Sequence, residues 1–269
     1  MLTFDERLKH VTLKIMRAKE HIAELERLLR AYLYSDPYIV GVKRDPQTRR
    51  LIYYVKSTEP VPDSISLVTG DAIQNMMSAL DHLAYQIVCC DTEDNPPNPN
   101  WIYFPIAEDS AKYEAKKHGK MEGACQGTFD AIDSLKPYKG GNDLIWTLYQ
   151  LNNIEKHRLL LTVGSHATGI NLGQYLAHNL RGTFPVGAVD AFESMNVFLN
   201  PADKGFPLKA GFELLIGDVD EQPNPKQQFR FAVALNEAGV IDGKSVIETV
   251  NQFVKLVEGI VTTLTPRLK

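Results

Sequence analysis

The sequence predicts an α+β fold: a helical bundle packed with mainly antiparallel β-strands. Three observations carry this. Apolar residues recur at helical spacing near both ends of the chain and in its middle. Between those stretches lie β-rich runs broken by Gly, Pro and Asp. Helical and strand-like stretches are segregated and do not alternate, which argues against a doubly wound parallel sheet. At 269 residues and 44% hydrophobic content the chain can bury a full core. It reads as a single domain over residues 1–269.

The bundle opens with a long helix over residues 1–34. Phe4, Leu8, Val11, Ile15, Ala18, Ile22, Leu25, Leu29 and Tyr32 recur at alternating steps of four and three, a heptad seam with charged residues elsewhere. Such a seam serves either the chain's own body or a homodimer. Two β-rich runs, 38–43 and 51–56, flank Asp45-Pro46-Gln47-Thr48 and predict a hairpin within 36–60. A helical core follows over 70–160. Its first helix runs from Gly70 to about Cys90 and ends in the loop "DTEDNPPNPN"; "WIYFPI" is a short strand or buried extended segment. Residues 112–135 show weak helical period with a break at "HGKMEG". Asn142 or Asp143 caps a helix "LIWTLYQLNNIEKHRLLL" that passes toward a strand at "LLLTV". Residues 161–240 read as β-rich, with "FELLIGDV" and "QFRFAVAL" the best strands, and 243–265 as a final amphipathic helix with Val246, Val250, Phe253, Val257 and Ile260 on one face.

Bulk properties exclude several function classes. A net charge of -4 and a pI near 6.0 give no global basis for nucleic-acid binding, although a local basic groove is compatible with them. The charged N-terminal stretch lacks the apolar run of a signal peptide. No apolar stretch reaches the ~20 residues that span a bilayer. The three cysteines (Cys89, Cys90, Cys125) form neither a disulfide framework nor a zinc spacing. A cytoplasmic protein without membrane association is expected. With no Gly-rich dinucleotide fingerprint and no phosphate-cradling loop, no cofactor is expected either.

Two helices carry unusual polar residues. At 100° per residue, Ile73, Met76, Met77, Leu80, Leu83, Ala84 and Ile87 form one stripe of the Gly70 helix. Asp71, Asn75, Ser78, His82 and Tyr85 form the opposite one, with no Lys, Glu or Arg, the residues that normally fill a solvated face. In the second helix Leu144, Leu148, Leu151 and Leu159 define the inward stripe. Glu155 falls within it and Asn152 at its border. A buried carboxylate costs several kcal/mol unless paired, and the partners expected are Arg158 or His82. The expected site is a cleft between these helices. His82 is its acid/base, Asn75 and Ser78 orient His82, and Lys156, His157 and Arg158 supply positive charge, one of them pairing with Glu155.

The segments "GDAIQNMMSALDHLAYQ", "FPI" and "LNNIEKHRLLL" resemble a widespread family of bacterial proteins described only as hypothetical. More distantly, the helix from Asn75 to His82 is similar to the signature helix of HEPN proteins, helical-bundle domains that often act as metal-independent ribonucleases. That resemblance implies a phosphodiester-acting protein with RNA or a nucleotide as ligand. In that motif an Arg five residues before the His stabilises the phosphorane charge; here Met77 stands at that position. Two rival readings accompany it. One is a non-catalytic, oligomeric binding or structural protein whose polar helix pair is a buried hydrogen-bond network. The other is a metal-dependent hydrolase built on His82, His157 and Glu155, with His10 or His21 reaching in.

Overall fold

The computed structural model describes residues 2–157, 160–203 and 205–268, with His157 described by its backbone alone. Helix α1 (Phe4–Tyr34) is followed by β1 (Tyr38–Arg44), β2 (Arg50–Thr58) and α2 (Asp63–Asp91). Then come α3 (Ser110–Lys120), α4 (Gln126–Leu135) and α5 (Asp143–His157). The remainder is β3 (Val163–Asn171), α6 (Leu172–Leu180), α7 (Val186–Ser194), β4 (Phe198–Leu199), β5 (Glu213–Val219), β6 (Phe229–Glu237), β7 (Ile241–Ser245) and α8 (Val246–Leu264). The α+β class expected from the sequence is the one observed.

The chain groups into two compact units, each discontinuous in sequence. The first comprises residues 1–28, 63–162 and 236–269; the second comprises 29–62 and 163–235. The first unit holds α1 as far as Leu28 together with α2, α3, α4, α5 and α8. Helix α1 opens on a capping box, with the Thr3 N–H donating to Glu6 Oε2 (2.8 Å) and the Glu6 N–H to Thr3 Oγ1 (3.3 Å). Most of its heptad seam is consumed inside the chain: Val11, Ile15, Ala18, Ile22, Leu25, Leu29 and Tyr32 are buried, and Phe4 and Leu8 are half-buried. A homodimer through that seam would need surface the fold already covers.

Helix α2 packs on both α8 and α5, and all seven residues of its expected inner stripe are buried. It starts at Asp63, seven residues earlier than the sequence suggests. The intervening "SISLVT" is poor in helix formers, but its hydroxyls find partners: Ser66 Oγ donates to Leu161 O (3.0 Å) and Thr69 Oγ1 to Ile65 O (2.6 Å). Its other end supports α4, whose first residues lack a cap of their own. Asp91 Oδ2 accepts from the Cys125 N–H (2.9 Å) and from Thr128 Oγ1 (2.7 Å). Asn142, one of the two expected caps, accepts from the Ile145 N–H at the start of α5 (3.2 Å).

The second unit holds a three-stranded antiparallel sheet in the order β1-β2-β5 and the antiparallel neighbours β4-β3-β6. The β1–β2 hairpin is the expected one, its turn fixed by Asp45 Oδ1 accepting from the Gln47 and Thr48 N–H groups. Leu51, Tyr53, Val55, Ala167, Leu208 and Leu214 form its core.

The β-rich stretch 161–240 holds β3 to β6, and it also contains two helices, α6 and α7, that the sequence does not suggest. Asn171 caps α6 by accepting from the Gln174 N–H (3.1 Å). Gly173 is a packing contact, since a Cβ there would sit 2.5 Å from the carbonyl oxygens of Phe192 and Met195. The Gly and Pro residues that look like strand punctuation mark the borders and the contact of a helix pair.

Candidate active site

The polar stripe of α2 is neither sealed nor freely solvated. Asn75, Ser78, Asp81, His82 and Tyr85 are all half-buried. The N-terminal half of α1 reaches α2 at His82 and Gln86 and the segment after α2 at Asp94. Arg7 is buried and donates to Gln86 Oε1 (3.2 Å) and Asp94 Oδ1 (2.6 Å). One turn further along α1, the His10 ring lies 6.0 Å from that of His82, tilted by 56°. Ser78, Asp81, His82 and Tyr85 then line an open cleft of about 380 Å³, closed on the far side by Pro99, Asn100, Ile102 and Tyr103.

Electrostatics separate two groups in this cleft. Partial burial, and after it the charges of Lys14 and His10, push the proton affinity of His82 below that of an ordinary imidazole. Burial pushes Asp81 up from the usual carboxylate range, against a hydrogen bond from the Phe104 N–H (3.0 Å) and the charges of Lys156 and Lys120. Lys120 is held in place by donating to Ile106 O (2.9 Å) and lies 5.4 Å from the Tyr149 ring centroid. Burial lowers its proton affinity. The cleft therefore brings together an imidazole of lowered and a carboxyl of raised proton affinity.

Several expected placements change. Met77, at the cation position of the HEPN-type motif, is buried. The α1 residues that act on His82 are Lys14 and His10, whereas Lys156 acts on Asp81. Asn75 does not orient His82, because its Nδ2 donates to Asp71 O one turn back (2.8 Å). Ser78 does share the cleft with His82. The His157 side chain and Arg158 lie outside the described residues.

Glu155 is not at His82 either. Its carboxyl rests against Gly70, where an added Cβ would sit 2.5 Å from Cδ and 2.7 and 2.8 Å from the two oxygens. Twelve residues of helix, about 18 Å, separate Gly70 from His82. Burial and the nearby Asp71 raise the Glu155 proton affinity, partly offset by the Leu161 N–H. Among the described residues Glu155 makes no ion pair, and no group of three His, Cys, Asp or Glu is gathered to hold a metal ion. The set His82, His157 and Glu155 is thus not assembled from the residues described.

This contact makes Gly70 a sharp test of helix register. Gly→Ala inside a helix normally stabilises by about 1 kcal/mol. Here Gly70→Ala must displace Glu155, so we expect a loss of about 1–2 kcal/mol in denaturant unfolding. In a Glu155→Ala background the same substitution should become stabilising. Additive effects in the double-mutant cycle would show that the two residues do not interact.

Sequence reasoning missed Asp81, Asn100 and Tyr103 as members of the site and Lys14 as a charge acting on His82. For Tyr103 a signal existed: "WIYFPI" alternates, so burying Ile102, Phe104 and Ile106 leaves Trp101 and Tyr103 outward. No described helix is long and apolar enough to cross a membrane. Comparison with protein-family models, with curated proteins and with solved structures finds no match, and the chemistry of this site rests on its own residues.

Proposed function

We propose that the His82 cleft acts on a phosphodiester of RNA or a nucleotide. The observation that carries this reading is the pairing, in one open lining, of an imidazole biased to its neutral form with a carboxyl biased to hold a proton. His82 is the base that takes the proton of the attacking 2′-hydroxyl. The oxygen attacks phosphorus, and the charge that develops is stabilised by Lys14, with His10 beside it. The departing 5′-oxygen takes its proton from solvent entering the open cleft that Asp81 also lines. The lysine on α1 fills the role for which the resembling motif uses an Arg. Incubating the chain with labelled single-stranded RNA, beside its His82→Ala variant, tests the reading. Cleavage by the first and none by the second supports it, and equal rates would refute it.

A structural reading is favoured at the opposite end of the same helix. There Glu155 seated on Gly70, with Asn152 buried beside it on α5, fixes how α5 lies on α2. That role is independent of the His82 cleft and is tested by the Gly70 cycle above.

A further inference from the structure

We propose that Tyr103 and Trp101 form a stacking platform for a planar heteroaromatic ring, so that the His82 cleft takes its substrate by an unpaired nucleobase. The proposal rests on the phosphodiester reading and adds the substrate's recognition element.

Trp101 is 72% exposed and Tyr103 48% exposed, in a segment whose other large apolar residues, Ile102, Phe104 and Ile106, are buried. Trp101 ends a single 3-10 turn (Pro99–Trp101) and Ile102 is extended (φ -85°, ψ 120°), so the two exposed rings flank one buried side chain. The segment is pinned at four points. The Trp101 N–H donates to Asn98 O (3.0 Å), the Tyr103 N–H to Lys120 O (3.1 Å) and the Phe104 N–H to Asp81 Oδ1 (3.0 Å). Tyr103 Oη donates to Asn100 O (3.3 Å). Two large aromatic rings are therefore held outward by a fixed backbone, and Tyr103 belongs to the same lining as His82.

The lining also says what kind of ring fits. It contains Asp81 but no Lys or Arg, so recognition on this side is by stacking and by hydrogen bonds, while the charge of Lys14 acts at His82. The Asn100 amide and the Ser78 hydroxyl offer donors and acceptors to the edge of a ring. A nucleobase has both a face to stack and an edge to read, and its phosphate would extend toward His82. A purely apolar occupant would leave those polar groups unused.

Tryptophan fluorescence reads this site directly. The chain has two tryptophans, and the other, Trp146, is buried with Lys139 Nζ 4.3 Å from its ring centroid. The full chain is titrated with adenosine 5′-monophosphate, adenosine and ribose 5-phosphate, with calorimetry in parallel. We expect the first two to quench emission with saturation and ribose 5-phosphate to leave it unchanged. Tyr103→Ala should weaken adenosine binding about 5- to 150-fold, the range for losing one base–aromatic stack. Trp101→Leu should remove the quench. Because both side chains are exposed, circular dichroism should show both variants folded.

Ribose 5-phosphate binding as tightly as the nucleotide, or unchanged affinity in Tyr103→Ala, would overturn the platform. If RNA cleavage persists alongside either result, the phosphodiester reading stands without it. Saturable adenosine quenching in a chain that does not cleave RNA would support the platform and refute the phosphodiester reading. Binding of none of the three ligands would overturn the platform.

Discussion

His82→Ala is expected to lower the RNA cleavage rate at pH 7 by about 10²–10⁴, the usual contribution of a positioned acid or base. That factor corresponds to roughly 3–5 kcal/mol of transition-state stabilisation. The melting temperature should hardly move, because the ring is half-buried and a substitution of this kind usually costs under about 0.5 kcal/mol. The pH dependence gives an independent check. A base must be neutral to accept a proton, and partial burial with Lys14 and His10 keeps His82 neutral below its ordinary value of 6.5. The acid limb of kcat/KM should therefore fall below pH 6.5. Lys14→Ala removes one of the charges that depress it, so the limb should move upward toward 6.5 while the rate falls. An acid limb above 6.5, or a His82→Ala variant with full activity, would remove His82 from the chemistry. A variant that lost its fold along with its activity would assign the imidazole a structural role.

How far the sequence reaches depends on whether a feature is local. The seam of α1 and the seven-residue stripe of α2 are legible because helical period alone places them, and every one of those α2 residues is buried. The hairpin is legible because Asp45 fixes its own turn. The first two turns of α2 are not, because "SISLVT" has the composition of a strand, and its partner Leu161 O, which accepts from Ser66 Oγ, is distant in sequence. Helices α6 and α7 escape for a related reason: each is nine residues long, and the pair packs through the missing side chain of Gly173. In the site, the period of α2 correctly isolates a second face containing Ser78 and His82. It says nothing about which helix supplies the neighbouring charge. The sequence cluster "NNIEKHR" draws attention to α5, but in space α5 offers Lys156 to Asp81 and Glu155 to Gly70, while α1 reaches His82. A run of charges in sequence is visible; the direction each side chain takes from its helix is decided by packing.

Phe253→Ala is expected to have the converse effect, costing about 3–5 kcal/mol of stability with cleavage by the remaining folded protein unchanged. Phe253 is fully buried on α8, in a stripe with Val250, Val257 and Ile260 that is likewise buried. Helix α8 packs on α2, and the truncated side chain would leave a cavity that close-packed neighbours fill only in part. For a unit of this size the loss should lower the melting temperature by roughly 6–20 °C. Yet no residue of α8 lines the His82 cleft. Helix α2 presents its core stripe on one face and the cleft on the other, so a cavity beneath the core stripe removes folded molecules without altering the lining. The rate per folded molecule, measured well below the transition, should match that of the parent chain. The two substitutions then separate cleanly, one removing rate at constant stability and the other stability at constant rate. A Phe253→Ala variant that is fully folded at the assay temperature and inactive would show that the cleft depends on the packing of α8, and that the two faces of α2 are not independent.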